Sequence, residues 1–302
     1  MSGDETQSTG LLLTARDIRD LADAAGIRPS KQRGQNFVMD PNTVRTIVGR
    51  AHVEPGQAVL EVGPGLGSLT LGLLEAGADV VAVELDRGLA ELLPLTLRAR
   101  GVEDDRFRLL HHDALQVTEL PALPRAGEPT ALVANLPYNV ATPILLTMLE
   151  RFDSLRTALV MVQSEVVDRL IAGPGSRTYG GPSVKVAWYG RAVHAGKVSR
   201  QIFWPVPNVD SALVELVRHE QPLGTAAERE AVFTVIDAAF AQRRKTLRAA
   251  LAGWAGSAAR SEQILRAAGI DHSARGETLE IEQFRAITQA ERELGRSEGV
   301  TP

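Results

Sequence analysis

Four consecutive residues, Asn135, Leu136, Pro137 and Tyr138, combine groups suited to a reaction on a planar, nitrogen-bearing ring. The lone pair of an aromatic amine is delocalised into its ring, so the nitrogen is a poor nucleophile until acceptors hold its hydrogens and favour a tetrahedral geometry. Asn135 supplies a side-chain carbonyl, and the backbone carbonyl of Leu136 supplies a second acceptor. Pro137 has no N–H to compete for them, and its fixed φ stiffens the turn. Tyr138 offers a ring face for stacking, a contact of about 1–3 kcal/mol per base. Methylation of such an amine demands no general base, because the nitrogen becomes acidic only as it gains the methyl and then releases its proton to water. Positioning and stabilisation of the developing positive charge carry the catalysis. Read as plain structure, the same residues are a turn closing a strand.

Three further sites precede this turn. GluValGlyProGlyLeuGly (61–67) follows an apolar run and precedes a leucine-rich segment, so bare backbone and a helix N-terminus face whatever binds there. Its G-x-G-x-G spacing departs from the G-x-G-x-x-G of dinucleotide sites, since position 68 is Ser, and this disfavours a pyrophosphate. Glu84, 21 residues past Gly63, is placed to accept hydrogen bonds from the two hydroxyls of a ribose, or is a solvated acid at a strand end. Asp113 suits an adenine amino group and equally a helix N-cap. His111 and His112 before it point to opposite faces of a strand and have no third partner at ligand spacing, so they read as a surface pair rather than a metal site.

The elements that must position these residues are legible as short apolar runs at 58–62, 79–84, 107–113, 130–135 and 157–163, mostly separated by amphipathic segments. Runs apolar on both faces and alternating with helices predict a parallel sheet covered on both sides. Gly63, Glu84, Asp113 and Asn135 close four of these runs, and ligands of such sheets bind beyond the carboxyl ends of the strands, so the four residues are expected to converge. Thr14 reads as the N-cap of a helix reaching Ala25, and Asp40 with Pro41 as the start of another. Strands are expected at 192–199 and 211–217. GluGlnProLeuGlyThrAlaAla (220–227) reads as a linker, followed by helices at 228–241, 243–253, 261–268 and 280–293. The expected organisation is an N-terminal extension (1–27), a catalytic domain (28–219), a helical domain (220–295) and a tail (296–302).

The 302 residues contain no cysteine, which excludes disulfide frameworks, thiolate nucleophiles and zinc–thiolate or iron–sulfur sites. The proposed chemistry needs neither a nucleophilic side chain nor a metal. The polar opening and the absence of a long apolar run predict a soluble, intracellular protein. A net charge of −4 argues against a nucleic-acid partner until it is resolved by segment. Residues 28–50 carry five basic residues against one acid, 185–205 carry four against none, and 241–250 carry four against none, whereas 277–302 carry six acids against three arginines. GlnArgArgLysThrLeuArg (242–248) places Arg243, Arg244, Lys245 and Arg248 in seven residues at the expected start of a helix. Such a run suits phosphate contacts, against the plainer reading of a solvated face.

The chain resembles the KsgA/RsmA-type ribosomal RNA small-subunit adenine dimethyltransferase family from about residue 28 to 290. The likeness rests on seven blocks in family order: 34–37, 61–67, 83–86, 113–115, 135–143, 203–212 and 242–248. It implies a Rossmann-like α/β S-adenosylmethionine-dependent methyltransferase with a smaller C-terminal helical domain. It further implies N6,N6-dimethylation of two adjacent adenines near the 3′ end of 16S ribosomal RNA within the immature 30S subunit. By the same resemblance, cofactor contacts come from Asn36, the backbone at Val38, Gly63, Glu84, Asp113 and Asn135. Phe203 stands opposite Tyr138 as the second wall of the base pocket, and 243–248 contact RNA. Position 38 is commonly Leu in the family, a change that a backbone contact tolerates. Arg177, in the loop 175–180, is a weaker candidate for RNA contact. The fold analogy implies a monomer, and the family a cytoplasmic enzyme. Erm-type dimethylases of large-subunit RNA share the AsnLeuProTyr turn, but GlnArgArgLysThrLeuArg favours the small subunit. A DNA adenine methylase usually has Asp at position 135, and a glutamine methylase has AsnProProTyr. A ribosome-assembly factor that acts mainly by binding is the non-enzymatic alternative.

Overall fold

The computed structural model describes residues 10–28 and 35–298. Most of the basic turn 28–34, including Lys31 and Arg33, lies outside the described residues, as do 1–9 and 299–302. Helix α1 (Ala15–Ala24) starts at Thr14, whose hydroxyl and backbone N–H exchange hydrogen bonds with Asp17 in a capping box. After the short strand β1 (Phe37–Val38), helix α2 (Pro41–Arg50) is capped by Asp40 accepting from the Thr43 N–H at 2.8 Å, with proline in its first turn. The chain then alternates strand and helix: β2 (Ala58–Val62), α3 (Ser68–Glu75), β3 (Asp79–Glu84), α4 (Arg87–Ala99), β4 (Phe107–His111), β5 (Ala131–Asn135), α5 (Ala141–Arg151) and β6 (Thr157–Gln163). Helices α6 (Ser164–Leu170) and α7 (Gly181–Tyr189) precede β7 (Gly190–Val198), β8 (Phe203–Trp204) and β9 (Ser211–Arg218).

The large sheet has the order β4-β3-β2-β5-β6-β9-β7, and β2 pairs in parallel with both β3 and β5. Only apolar packing on both faces tolerates strands this buried: β2 and β3 are buried at every position, including Glu61 and Glu84. The chain winds outward from β2 through β3 to β4, then returns to the other side of β2 as β5. That reversal is the switch point beyond which such sheets open a crevice. Strand β9 runs antiparallel to β6. Strands β1 and β8 form a separate antiparallel ribbon, Phe37 opposite Trp204 and Val38 opposite Phe203.

The chain divides into two compact units, 1–167 with 193–217, and 168–192 with 218–302. The last of the three crossings lies near the expected boundary at 219, but the first two were not anticipated: residues 168–192 leave the sheet unit and pack with the C-terminal helices. Their composition explains it. Helix α7 buries Val184, Val186, Trp188 and Tyr189, and both Trp188 and Tyr189 meet the Phe233 ring edge-on at 6.2 Å. Tyr179 donates to the Leu279 carbonyl at 2.7 Å.

The helical unit continues with α8 (Ala226–Ala241), α9 (Leu247–Ala250), α10 (Ala252–Ala255), α11 (Ala258–Ala267) and α12 (Ile281–Glu298). The helix expected over 243–253 is therefore corrected. Residues 242–246 form a turn, and two one-turn helices follow. The N–H groups of Leu247 and Arg248 donate to the carbonyls of Ala274 and His272, so a tertiary contact satisfies the first turn of α9. Among the described residues, no helix is long and apolar enough to cross a membrane.

Candidate active site

A cavity of about 720 Å³ opens in the sheet unit at the carboxyl ends of β2, β3 and β5, and Asn36, Val38, Gly63, Glu84, Asn135 and Pro137 all line it. The glycine turn forms its floor. Gly65 and Gly67 adopt φ of +59° and +95°, which favours glycine at both positions. A Cβ at Gly65 would also stand 3.0 Å from the Phe37 ring, so a bare backbone lets β1 close over the turn. The Ser68 hydroxyl at the start of α3 donates to the Val38 carbonyl at 2.7 Å and fixes that wall.

Glu84 is almost fully buried, and its carboxylate accepts from the Gly65 N–H at 3.1 Å and from the Asp86 N–H at 2.9 Å. Burial pushes its pKa above the usual carboxylate range, against the opposing pull of those N–H donors. With about four acceptor positions on a carboxylate, capacity remains for a ligand's hydroxyls. Glu61 also lines the cavity. It is 1% exposed, accepts from the Thr70 hydroxyl at 2.7 Å, and is pushed up to about 8 by burial, with the nearby Glu84 charge adding to the effect. Sequence reasoning quoted Glu61 within the glycine motif without giving it a role. The available signal was a carboxyl inside an otherwise apolar strand.

Asn135 closes β5, and its side-chain N–H donates to the Asn36 backbone carbonyl at 3.1 Å. That bond orients the amide: one N–H is held by the protein, and Oδ1 is left as an acceptor. Leu136 buries its side chain and donates its N–H to the Met161 carbonyl. The Tyr138 ring is half-buried, and its hydroxyl lies 2.8 Å from that of Ser211.

Of the expected residues, Leu136, Tyr138, Asp113 and Phe203 are not among those lining the cavity. Asp113 does not line the cavity; its Oδ1 accepts from the Leu115 N–H at 2.9 Å, so it caps the turn after β4. Phe203, expected as a wall facing Tyr138, is 0% exposed and lies in the apolar core with Phe37 and Leu69. The physical cause is the pairing of β8 with β1, which turns Phe203 inward and leaves the half-buried Trp204 stacked on Phe37 at 6.3 Å. His111 and His112 are both exposed, and no group of three or more potential metal ligands occurs among the described residues.

In the helical unit, Arg243 pairs with Glu277 at 2.8 Å and donates to the Arg177 carbonyl, while Arg248 pairs with Glu262 at 2.8 Å. Among the described residues no acid pairs with Arg244 or Lys245, and both are exposed.

A mostly parallel sheet covered by helices, with a glycine turn at its switch point and a buried acid closing the next strand, defines the Rossmann-like fold of S-adenosylmethionine-dependent methyltransferases. The chain belongs to the ribosomal RNA adenine dimethylase family, whose model matches residues 28–290. It is an RNA-modifying methyltransferase. A ribosomal RNA small subunit methyltransferase A of Streptomyces griseus is 62% identical over 284 residues, covering 94% of this chain and 96% of its own length. The protein of that name from Kineococcus radiotolerans is 63% identical over 276 residues, covering 91% and 90%. Among solved structures, a dimethyladenosine transferase from Plasmodium falciparum shares the fold at a TM-score of 0.71 and 20% identity, over 86% of this chain and 98% of that one. The 23S rRNA methyltransferase ErmE matches at 0.61 and 27% identity, over 85% and 100%.

Proposed function

We propose that this enzyme converts two adjacent adenines near the 3′ end of small-subunit ribosomal RNA to N6,N6-dimethyladenine, with S-adenosylmethionine as methyl donor and the immature small subunit as partner. It acts as a cytoplasmic monomer. The observation that carries this reading is the Asn135 amide, which donates to the Asn36 carbonyl and whose Oδ1 has no hydrogen-bond donor among the described residues, in a cavity that the glycine turn also lines. The cavity fits the donor. Its volume lies within the roughly 300–1,000 Å³ of ligand pockets, and the Glu84 carboxyl that lines it offers acceptors to a ligand's hydroxyls. When bound, S-adenosylmethionine supplies a methyl group activated by a sulfonium.

Glu84 would hold the ribose, and Asn36, the backbone at Val38 and Gly63 would hold the methionine end. Asn135 Oδ1 and the Leu136 carbonyl accept the two hydrogens of the target amine and raise the availability of its lone pair. The ring of Tyr138 stacks the base, and water takes the released proton. An extruded base is required, because an amine within a stack cannot reach these acceptors. In the helical unit, Arg244 and Lys245 contact phosphates directly, while Arg243 and Arg248 are held by Glu277 and Glu262.

An Asn135→Ala variant tests the reading. Methyl transfer to undermethylated small subunits should fall by about 100- to 1000-fold, the usual cost of one preorganised polar group. Cofactor affinity by calorimetry and small-subunit binding should change little. Unaltered transfer contradicts the role of Asn135, whereas small-subunit binding by the unmodified enzyme without detectable methyl transfer would favour an assembly factor.

A further inference from the structure

In a parallel sheet the ligand edge collects the last residues of strands; an antiparallel strand brings its first residue there instead. Strand β9 does so. Its first residue, Ser211, stands opposite Gln163, the last residue of β6, while Asn135 pairs with Met161 of the same strand. Ser211 is 0% exposed, and its hydroxyl lies 2.8 Å from that of Tyr138. A tyrosine ring has two torsions, and a ring held at both Cβ and the hydroxyl has neither free. The half-buried phenol is pushed above its ordinary pKa by desolvation, so it remains a neutral O–H able to keep this bond rather than act as a base.

We propose that Ser211 is a positioning residue for methyl transfer, its hydroxyl fixing the plane of the Tyr138 ring and thereby the angle at which a stacked base presents its amine to Asn135. The inference rests on the reading of Tyr138 as the stacking surface. A base settled on a ring already held in place loses less freedom on binding, and small errors in attack geometry are costly in rate. Sequence reasoning included Ser211 in the block 203–212 but gave it no role; the signal was its place at the start of the strand after the prolines.

The test compares Ser211→Ala, Ser211→Thr, Tyr138→Phe, Tyr138→Ala and the double variant Ser211→Ala with Tyr138→Phe, in the full chain. The readouts are kcat and KM for methyl transfer to undermethylated small subunits, with cofactor affinity by calorimetry. Ser211→Ala and Tyr138→Phe should each lower kcat/KM by about 3- to 10-fold, the scale of one neutral hydrogen bond. The double variant should be no worse than either single one, Ser211→Thr should restore activity, and cofactor affinity should hold throughout. If Ser211→Ala fails to fold, Tyr138→Phe removes the same bond from the other side. Additive losses in the double variant overturn the proposal, because a packing role for Ser211 would persist without the phenol. Full activity of both Ser211→Ala and Tyr138→Phe, with loss in Tyr138→Ala, overturns it while leaving the stacking reading intact. Full activity of Tyr138→Ala overturns the stacking reading and the proposal with it.

Discussion

Two carboxyls share one cavity, and their surroundings give them different work. Glu84 is tied by two backbone N–H groups and shapes the turn, whereas Glu61 receives one hydroxyl and is pushed up to about 8, so at neutral pH it is mostly protonated. Its folded value stands above the unfolded value near 4.5. The folded protein therefore binds more protons between the two, and the stability contributed by neutral Glu61 is present below about 4.5 and is lost as pH rises through about 8. A Glu61→Gln variant should abolish that part of the slope. Melting temperatures of both proteins, measured without cofactor from about pH 5 to 8.5, should converge at the acid end and separate toward the basic end, with the variant the more stable. Parallel profiles would mean that Glu61 ionises like an ordinary carboxylate.

At the scale of elements, the site depends on how closely helices α2 and α3 approach. Gly72 lies inside α3, where a Cβ would stand 2.4 Å from a methyl of Val44 and 3.2 Å from one of Val48. Gly49, near the end of α2, has open space around it. Gly72→Ala should therefore destabilise by about 1–3 kcal/mol through overpacking, whereas Gly49→Ala should gain up to about 1 kcal/mol from helix propensity. Thermal unfolding of the two variants checks the contrast, and a shift of the same sign in both would contradict the packing argument. Strands β2, β3, β5 and β6 were legible because burial on both faces writes continuous apolar runs, and the caps Thr14 and Asp40 because their side chains act locally. What escaped depends on partners distant in sequence. The break at 242–246 is set by carbonyls at 272 and 274, Phe203 is turned inward by pairing with β1, and residues 168–192 join the helical unit through Phe233 and Leu279. In the candidate site, Gly63, Glu84 and Asn135 were legible as strand ends, while Glu61 and Ser211 acquire meaning only once Thr70 and Tyr138 stand beside them.

For the molecule as a whole, a net charge of −4 coexists with basic segments whose cations are unequally available. Arg45, Lys185, Arg243 and Arg248 are each paired with an acid, whereas no acid among the described residues pairs with Arg244 or Lys245. Neutralising Arg244 and Lys245 together should weaken RNA binding and flatten the dependence of log affinity on log salt by about 1.4 to 1.8, the release expected from two phosphate contacts. Binding titrations across a salt series read this directly, and an unchanged slope would place the contacts elsewhere. Neutralising Arg243 should instead show first as lowered thermal stability, since it leaves Glu277 without its partner. The central claim concerns which atoms receive the methyl groups. Undermethylated small subunits incubated with the enzyme and tritiated S-adenosylmethionine, followed by mapping of the modified nucleotides, should show label on N6 of two adjacent adenines near the 3′ end of the small-subunit RNA, up to two methyls on each. Label confined to large-subunit RNA, or no label on either adenine, would contradict the account.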